Sequence, residues 1–434
     1  MLQYVNLTEG SSMKKYLFLL SLAFFIGCGG GGSKTIDESV PRASDTNPTV
    51  SQEVESTSSK ILDYLNSLRR SAGMVELKEI KELDTAAYNH ANYLYVNNET
   101  GHYEDPDKKA FTGEWPWDRI VYANYLTKFV AENVSSGQKN YILSIDGLFS
   151  AIYHRFGFLK VDIDTIGIGI KGLKYVYDMS NSNLNTLCAS DNCTSGRCYT
   201  NVCKDDDIKI PEDDFNQALS DIRALNDDII IWPYKDATNI MPVFYEENPD
   251  PLPDYSVSGY PISVQFNSYY FSNDVTLKWF KLYDKNGNEI TDVRLIDKDN
   301  DPNDKFSNKE FALFPLKRLE WDSSYSVSVG YSYDGEDYTI TWSFKTQKLP
   351  YDYFRIDNDD ETIYVPSNKT YAYYFVPKDG NDTISGYSYS YPSGDSVESG
   401  FIDANTIWIK VVGDSGDEFN FDFDNGNKLT LIVQ

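Results

Sequence analysis

The segment Thr165–Ile170 reads TIGIGI, and few hexapeptides restrict a fold so tightly. Ile166, Ile168 and Ile170 alternate with Gly167 and Gly169, so as a strand it has one apolar face and one with no side chains. A bare face of that kind is filled only when another element packs directly onto the backbone. Upstream, Leu83, Ala87, His90, Ala91 and Leu94 fall on one face of a helix over about Glu82–Asn97, following an earlier helix marked by Ile61, Leu62, Leu65 and Leu68. A third helix is expected over Ile142–His154, with Ile145, Leu148, Phe149 and Ile152 as its apolar stripe and Gly147, Ala151 and His154 on another face. Tyr175–Met179 and Ile229–Tyr234 are further strand candidates, with a helix over Asp213–Leu225 between them. Helices packed on strands imply an α+β layered domain ending near Asp250.

The rest of the chain divides by composition. Ser, Thr, Asp, Glu and Pro dominate residues 29–58, which cannot bury enough apolar surface to offset ordering and read as a tether. The roughly 375 residues beyond it exceed one comfortable core and predict two or three domains. Three prolines in Asn248–Asp254 mark a stiff linker, after which short alternating runs follow: Pro261–Phe266, Val275–Tyr283, Tyr325–Tyr333 and Tyr338–Lys345. Asn286–Gly287 and Asp334–Gly335 are hairpin turns. Residues 251–348 therefore read as a β-sandwich, and residues 349–434, rich in Tyr and Asp, as a second, smaller β domain. The tyrosines suit strands as well as they suit a binding face.

A formal charge of −27 argues against nucleic acid and against electrostatic docking on anionic lipid, while favouring divalent cations at acidic loops. Lys14 and Lys15 precede an apolar run, Tyr16–Ile26, too short to span a bilayer, which stops at Gly27–Cys28 before Gly29–Gly32. Residues 1–28 resemble a bacterial lipoprotein signal with translation starting at Met13, Phe25 standing where Leu is usual and Cys28 carrying the lipid; the alternative is an ordinary cleaved signal peptide. Attachment to a membrane would then come from acyl chains, in an exported protein of the cell envelope, outer membrane or cell surface. Four evenly spaced cysteines, Cys188, Cys193, Cys198 and Cys203, read as two disulfides stapling the polar loop 188–203, their pairing open among three possibilities; a four-thiolate zinc site is the competing reading.

Several short motifs then agree in order and spacing: LNSLRRSAGM at Leu65–Met74, AAYNHANYL at Ala86–Leu94, Gly101–His102, PWDRI at Pro116–Ile120, AEN at Ala131–Asn133, YHR at Tyr153–Arg155, and IGIGI. Together they resemble the CAP superfamily of cysteine-rich secretory proteins, antigen 5 and pathogenesis-related 1 proteins, placing such a domain within residues 59–250. GYPISVQF at Gly259–Phe266 and ALFPLKRLEW at Ala312–Trp321 resemble the immunoglobulin-like module that follows it in some bacterial proteins. The resemblance implies an α-β-α sandwich whose cleft holds two histidines and two acids. His102, Glu132 and His154 match the first histidine, the first acid and the second histidine; the place of the second acid falls at or near Ala151, so that acid has no match.

His102 and His154 are candidate ligands for a weakly held zinc ion, with Glu132 as a third ligand or as a base on bound water; the competing expectation is a buried hydrogen-bonded network. His90, on an apolar stripe, reads first as a hydrogen-bonded core residue. Asp297, Asp299 and Asp301 alternate in a loop that offers oxygens to calcium, or is a solvated acidic turn, since an EF-hand's central glycine and twelfth-position glutamate are missing. No H-E-x-x-H, G-x-S-x-G, phosphate loop or C-x-x-C occurs, so no cofactor is required and enzyme status leans to no. The expected role is non-enzymatic binding of a small apolar ligand or peptide in the cleft. Alternatives are a metal-assisted hydrolase acting on peptide or envelope polymer, and an adhesin with a vestigial cleft.

Overall fold

A computed structural model describes residues 36–39, 54–190, 193 and 196–434. The expected signal, Cys28 and most of the tether lie outside them. Among the described residues no helix is long and apolar enough to cross a membrane.

The first layered unit contains helices α1 (Val54–Ser71), α2 (Lys81–Asn97), α3 (Pro116–Tyr122), α4 (Tyr141–Ser150), α5 (Ile152–Phe158), α6 (Ser182–Leu187) and α7 (Glu212–Arg223). Its sheet has the order β1 (Lys78–Glu79), β3 (Thr165–Lys171), β4 (Lys174–Ser180), β2 (Ala131–Ser136), all antiparallel except β1 with β3. The glycines of β3 do what their spacing requires. A Cβ on Gly167 would stand 2.0 Å from the backbone of Leu83, and one on Gly169 2.0 Å from that of Ala87, so α2 lies directly on the strand. Ile166 and Ile168 join the buried cluster of Ile61, Leu65, Ile145, Phe149 and Phe158 from α1, α4 and α5. This is an α-β-α arrangement built on one half-bare strand.

The single helix expected over Ile142–His154 is two helices. Ala151, with φ −78° and ψ 115°, is extended and separates α4 from α5. The N-cap residue of α5, Ala151, has no side-chain oxygen to offer, and the distant Glu247 carboxylate accepts instead from the Ile152 N–H at 2.5 Å and the Tyr153 N–H at 3.3 Å. A tertiary partner thus satisfies donors that a helix start leaves open. The polar loop that follows is stapled by disulfides Cys188–Cys203 and Cys193–Cys198, which settles the pairing and removes the thiolate zinc reading.

The seam to the second unit differs from the sequence expectation. Ile229–Trp232, expected in the first domain, pairs with Ile262–Phe266 in a sheet that continues through Glu310–Pro315 to Val293–Ile296. Ala237–Ile240 adds a parallel edge to Glu336–Thr346 in the facing sheet, beside Ser324–Tyr333 and Thr276–Tyr283. The sandwich therefore begins near residue 229, ahead of the proline-rich linker, and its core is continuous with that of the first unit; the Phe149 and Trp232 rings stack at 4.3 Å. At the expected hairpin, Asp334 and Gly335 take φ of +51° and +86°, the pair of positive values that a tight primed turn needs.

Residues 353–433 form two further sheets around a separate core that includes Phe375, Ile407, Phe421 and Leu431. Ile36–Ser39 adds an antiparallel edge to Gly386–Ser390. Arg318 of the sandwich reaches across, making hydrogen bonds of 2.8 and 2.5 Å to both Asp403 oxygens, its guanidinium 4.9 Å from the ring centroids of Trp321 and Tyr374.

Candidate functional site

Three stretches of backbone deliver the expected cleft residues to one place. His102 follows α2 in the loop to α3, Glu132 is the second residue of β2, and His154 lies in the first turn of α5. His102 Nδ1 is 2.9 Å from Glu132 Oε1, and the two imidazole rings lie 6.1 Å apart at an interplanar angle of 22°. The His102 side chain is 33% exposed and that of His154 15%. Asn133, next to Glu132, donates to the backbone carbonyl of His154 at 2.8 Å and occupies the space that a side chain at Gly157 would fill. The AEN motif therefore supplies both a cleft carboxylate and the latch that holds α5.

Glu132 is almost fully buried, which opposes its ionisation, yet Arg119, His90 and the His102 hydrogen bond outweigh that cost and hold its carboxyl far below the usual range. The Arg119 Nη2 donates to Glu132 Oε2 at 2.6 Å, and its Nε lies 3.9 Å from Glu104 Oε1. Glu104 in turn meets His90 Nδ1 at 2.9 Å, while His90 Nε2 is 3.0 Å from the Gly101 carbonyl. His90 is thus a buried, hydrogen-bonded residue at one end of a polar line that finishes at His102. Directly opposite Glu132 on β4 stands Asp178, fully buried, and among the described residues no donor is hydrogen-bonded to either oxygen. Burial first, and the Glu132 charge second, push its carboxyl well above its ordinary range.

Ala151, where the resemblance places a second acid, holds none, and a second carboxylate reaches His154 from elsewhere. Ala151 is the break between two helices, and the carboxylate comes from Glu247: its Oε2 lies 3.0 Å from His154 Nδ1. Burial raises the Glu247 carboxyl, with the His154 hydrogen bond and the Ile152 and Tyr153 amides pulling the other way. Glu247 follows the sandwich's first strands and sits just before Pro249, so counting along the family's helix could not find it.

Next to His102 in the chain, exposed Tyr103 packs edge-on against Trp115 at 4.4 Å, and Trp115 stacks on Trp117 at 4.9 Å and 7°. Both tryptophans belong to the start of α3, where the Asp118 carboxylate accepts the Trp115 N–H at 3.1 Å. The WPW run carried that signal in the sequence, although its PWDRI portion entered only as a family motif.

The acidic loop takes no such shape. Asp301 is buried and its carboxylate accepts from the Tyr153 hydroxyl and from the Asn303, Lys305 and Phe306 amides, while Asp297 accepts from the Asp299 amide. Among the described residues, no group of three or more His, Cys, Asp or Glu side chains is arranged to hold a metal ion. Asp297, Asp299 and Asp301 act in a turn, with Asp301 tying it to α5.

Residues 62–206 match the model of the cysteine-rich secretory protein family, CAP. This segment is a CAP domain. Two solved structures are similar to part of the chain. An extracellular protein containing a SCP domain from Bacillus anthracis is 16% identical, with 30% of this chain and 45% of that one covered and a TM-score of 0.27. An outer surface protein from Borrelia burgdorferi is 18% identical, with 30% and 95% covered and a TM-score of 0.26. The chain spans less than half the length of the Bacillus protein. No curated protein matches it. Measured against the CAP segment, Glu247 and the sandwich strands lie outside the matched residues.

Proposed function

We propose that this is an exported protein, held to a membrane by lipid on Cys28, whose CAP cleft binds a small apolar ligand or peptide without transforming it. One observation carries the reading. Both oxygens of each cleft carboxylate are already engaged, those of Glu132 by His102 and Arg119, those of Glu247 by His154 and two backbone amides. Each carboxylate is thereby built into the wall of the cleft, where it orients an imidazole and satisfies neighbouring donors. Both imidazoles meanwhile direct Nδ1 at an acid, which leaves Nε2 for a ligand. The stacked rings of Tyr103, Trp115 and Trp117, beginning at the residue after His102, support an apolar or peptide partner, because such rings bury large area at small entropic cost. Two imidazole nitrogens also suit a borderline cation such as zinc, held weakly and exchangeably for want of a third strong ligand.

The test is titration of the purified protein with the neutral fluorophore N-phenyl-1-naphthylamine and, separately, with zinc. Binding of the fluorophore is expected to weaken at least about tenfold in Trp117→Ala, and the zinc-induced rise in unfolding temperature to vanish in His102→Ala/His154→Ala. Cleavage of peptide or envelope polymer by the wild-type protein, lost in the double variant, would replace this reading with the metal-assisted hydrolase. Retained binding of both probes in all variants would leave the cleft without a role and favour the adhesin.

A further inference from the structure

Three successive residues of α5 reach out of the CAP domain. The Tyr153 hydroxyl donates to Asp301 and accepts from Asn303 Nδ2 at 3.0 Å. His154 meets Glu247. Arg155, fully buried, donates to Ser263 Oγ at 3.1 Å and lies 5.0 Å from the ring centroid of Tyr260, whose hydroxyl donates back to the Phe149 carbonyl at 3.0 Å. Around them Ile152 and Phe156 pack with Phe244, Leu252, Ile296, Phe306 and Phe314. Every partner but Phe149 comes from residues 244–314, beyond the CAP segment.

We propose that Glu247 is a positioning residue for His154, and that seating of the immunoglobulin-like module on α5 fixes which ring nitrogen the cleft receives. A neutral imidazole keeps its proton on the nitrogen that faces an acceptor. With Glu247 in place the proton sits on Nδ1 and the Nε2 lone pair is presented. Among the described residues no other group is hydrogen-bonded to the ring, so without Glu247 that choice is not enforced. The carboxylate is itself held by the Ile152 and Tyr153 amides, so the orientation of the ring depends on contacts that exist only when the two units are docked. The inference rests on the cleft reading above only for its consequence in binding.

The chain has three histidines, so 15N labelling of histidine in the full chain, in detergent at alkaline pH, gives three ring systems, assigned with His102→Gln and His154→Gln. Wild-type His154 is expected as the Nδ1–H tautomer. Glu247→Ala should convert it largely to Nε2–H while His102, still on Glu132, keeps its form. Should that variant fail to fold, Glu247→Gln, whose carboxamide can still cap α5, should give a mixture of the two. Asp301→Asn with Ser263→Ala, neither of which touches the ring, should add a minor Nε2–H population. A His154 tautomer unchanged in the folded Glu247 variants, or already Nε2–H in the wild type, overturns the proposal. Zinc affinity is expected to fall about ten- to hundredfold in Glu247→Gln. If wild-type protein binds no zinc while the tautomer still shifts, positioning stands and the metal side of the cleft reading falls.

Discussion

Asp178 and Glu132 face each other across β4 and β2 with opposite consequences for pH. Glu132 is held far below its ordinary range, so its contribution is complete above the unfolded value and is lost only as pH falls toward the folded one. For Asp178 the sign reverses. Its folded-state carboxyl retains a proton that the unfolded chain releases above about 3.8, so the stability it contributes drains away as pH rises. Asp178→Asn keeps the shape and removes the titration. Thermal unfolding of the variant should match the wild type near pH 4 and exceed it by a margin that widens toward pH 8; a margin that shrinks with pH would refute the protonated assignment. His102, Glu132 and His154 were legible because each sits in a short motif with its own neighbours. Arg119 lay in PWDRI without a role, since nothing in a linear reading distinguishes a buried arginine from a solvated one. Glu247 could not be read at all: its role is made by a contact 93 residues away in sequence.

At the scale of elements, the half-bare strand is the clearest success and the third helix the clearest failure. Gly167→Ala would force a methyl group into the Leu83 backbone, where no flexible side chain can yield, so its cost should be on the order of 3 kcal/mol, at the upper end for overpacking. Chemical denaturation would measure it, and a loss below about 1 kcal/mol would mean that α2 is less tightly seated than described. The apolar spacing over Ile142–His154 is continuous, so periodicity alone extends one helix through Ala151. The break becomes favourable because a distant carboxylate caps the second start, and helical periodicity carries no trace of a cap supplied from another unit.

For the whole molecule, the proposed anchor makes a separate expectation. With a formal charge of −27, the folded domains have no electrostatic reason to sit on anionic lipid, so attachment should depend on Cys28 alone. Cys28→Ser should move the protein from the membrane fraction to the soluble one at any salt concentration, and continued sedimentation with membranes would exclude that anchor. Composition had set the unit border at the proline-rich linker, because prolines announce stiffness, whereas hydrogen-bonded pairing of Ile229–Trp232 with Ile262–Phe266 leaves no trace in local sequence. Excision at Asp250 would strip a strand from each sheet of the sandwich and expose two raw edges, whereas a cut ahead of Ile229 would take from His154 its acid. Neither half is a spare part: any recombination that swaps the neighbour of this CAP domain must also find a new carboxylate for its cleft.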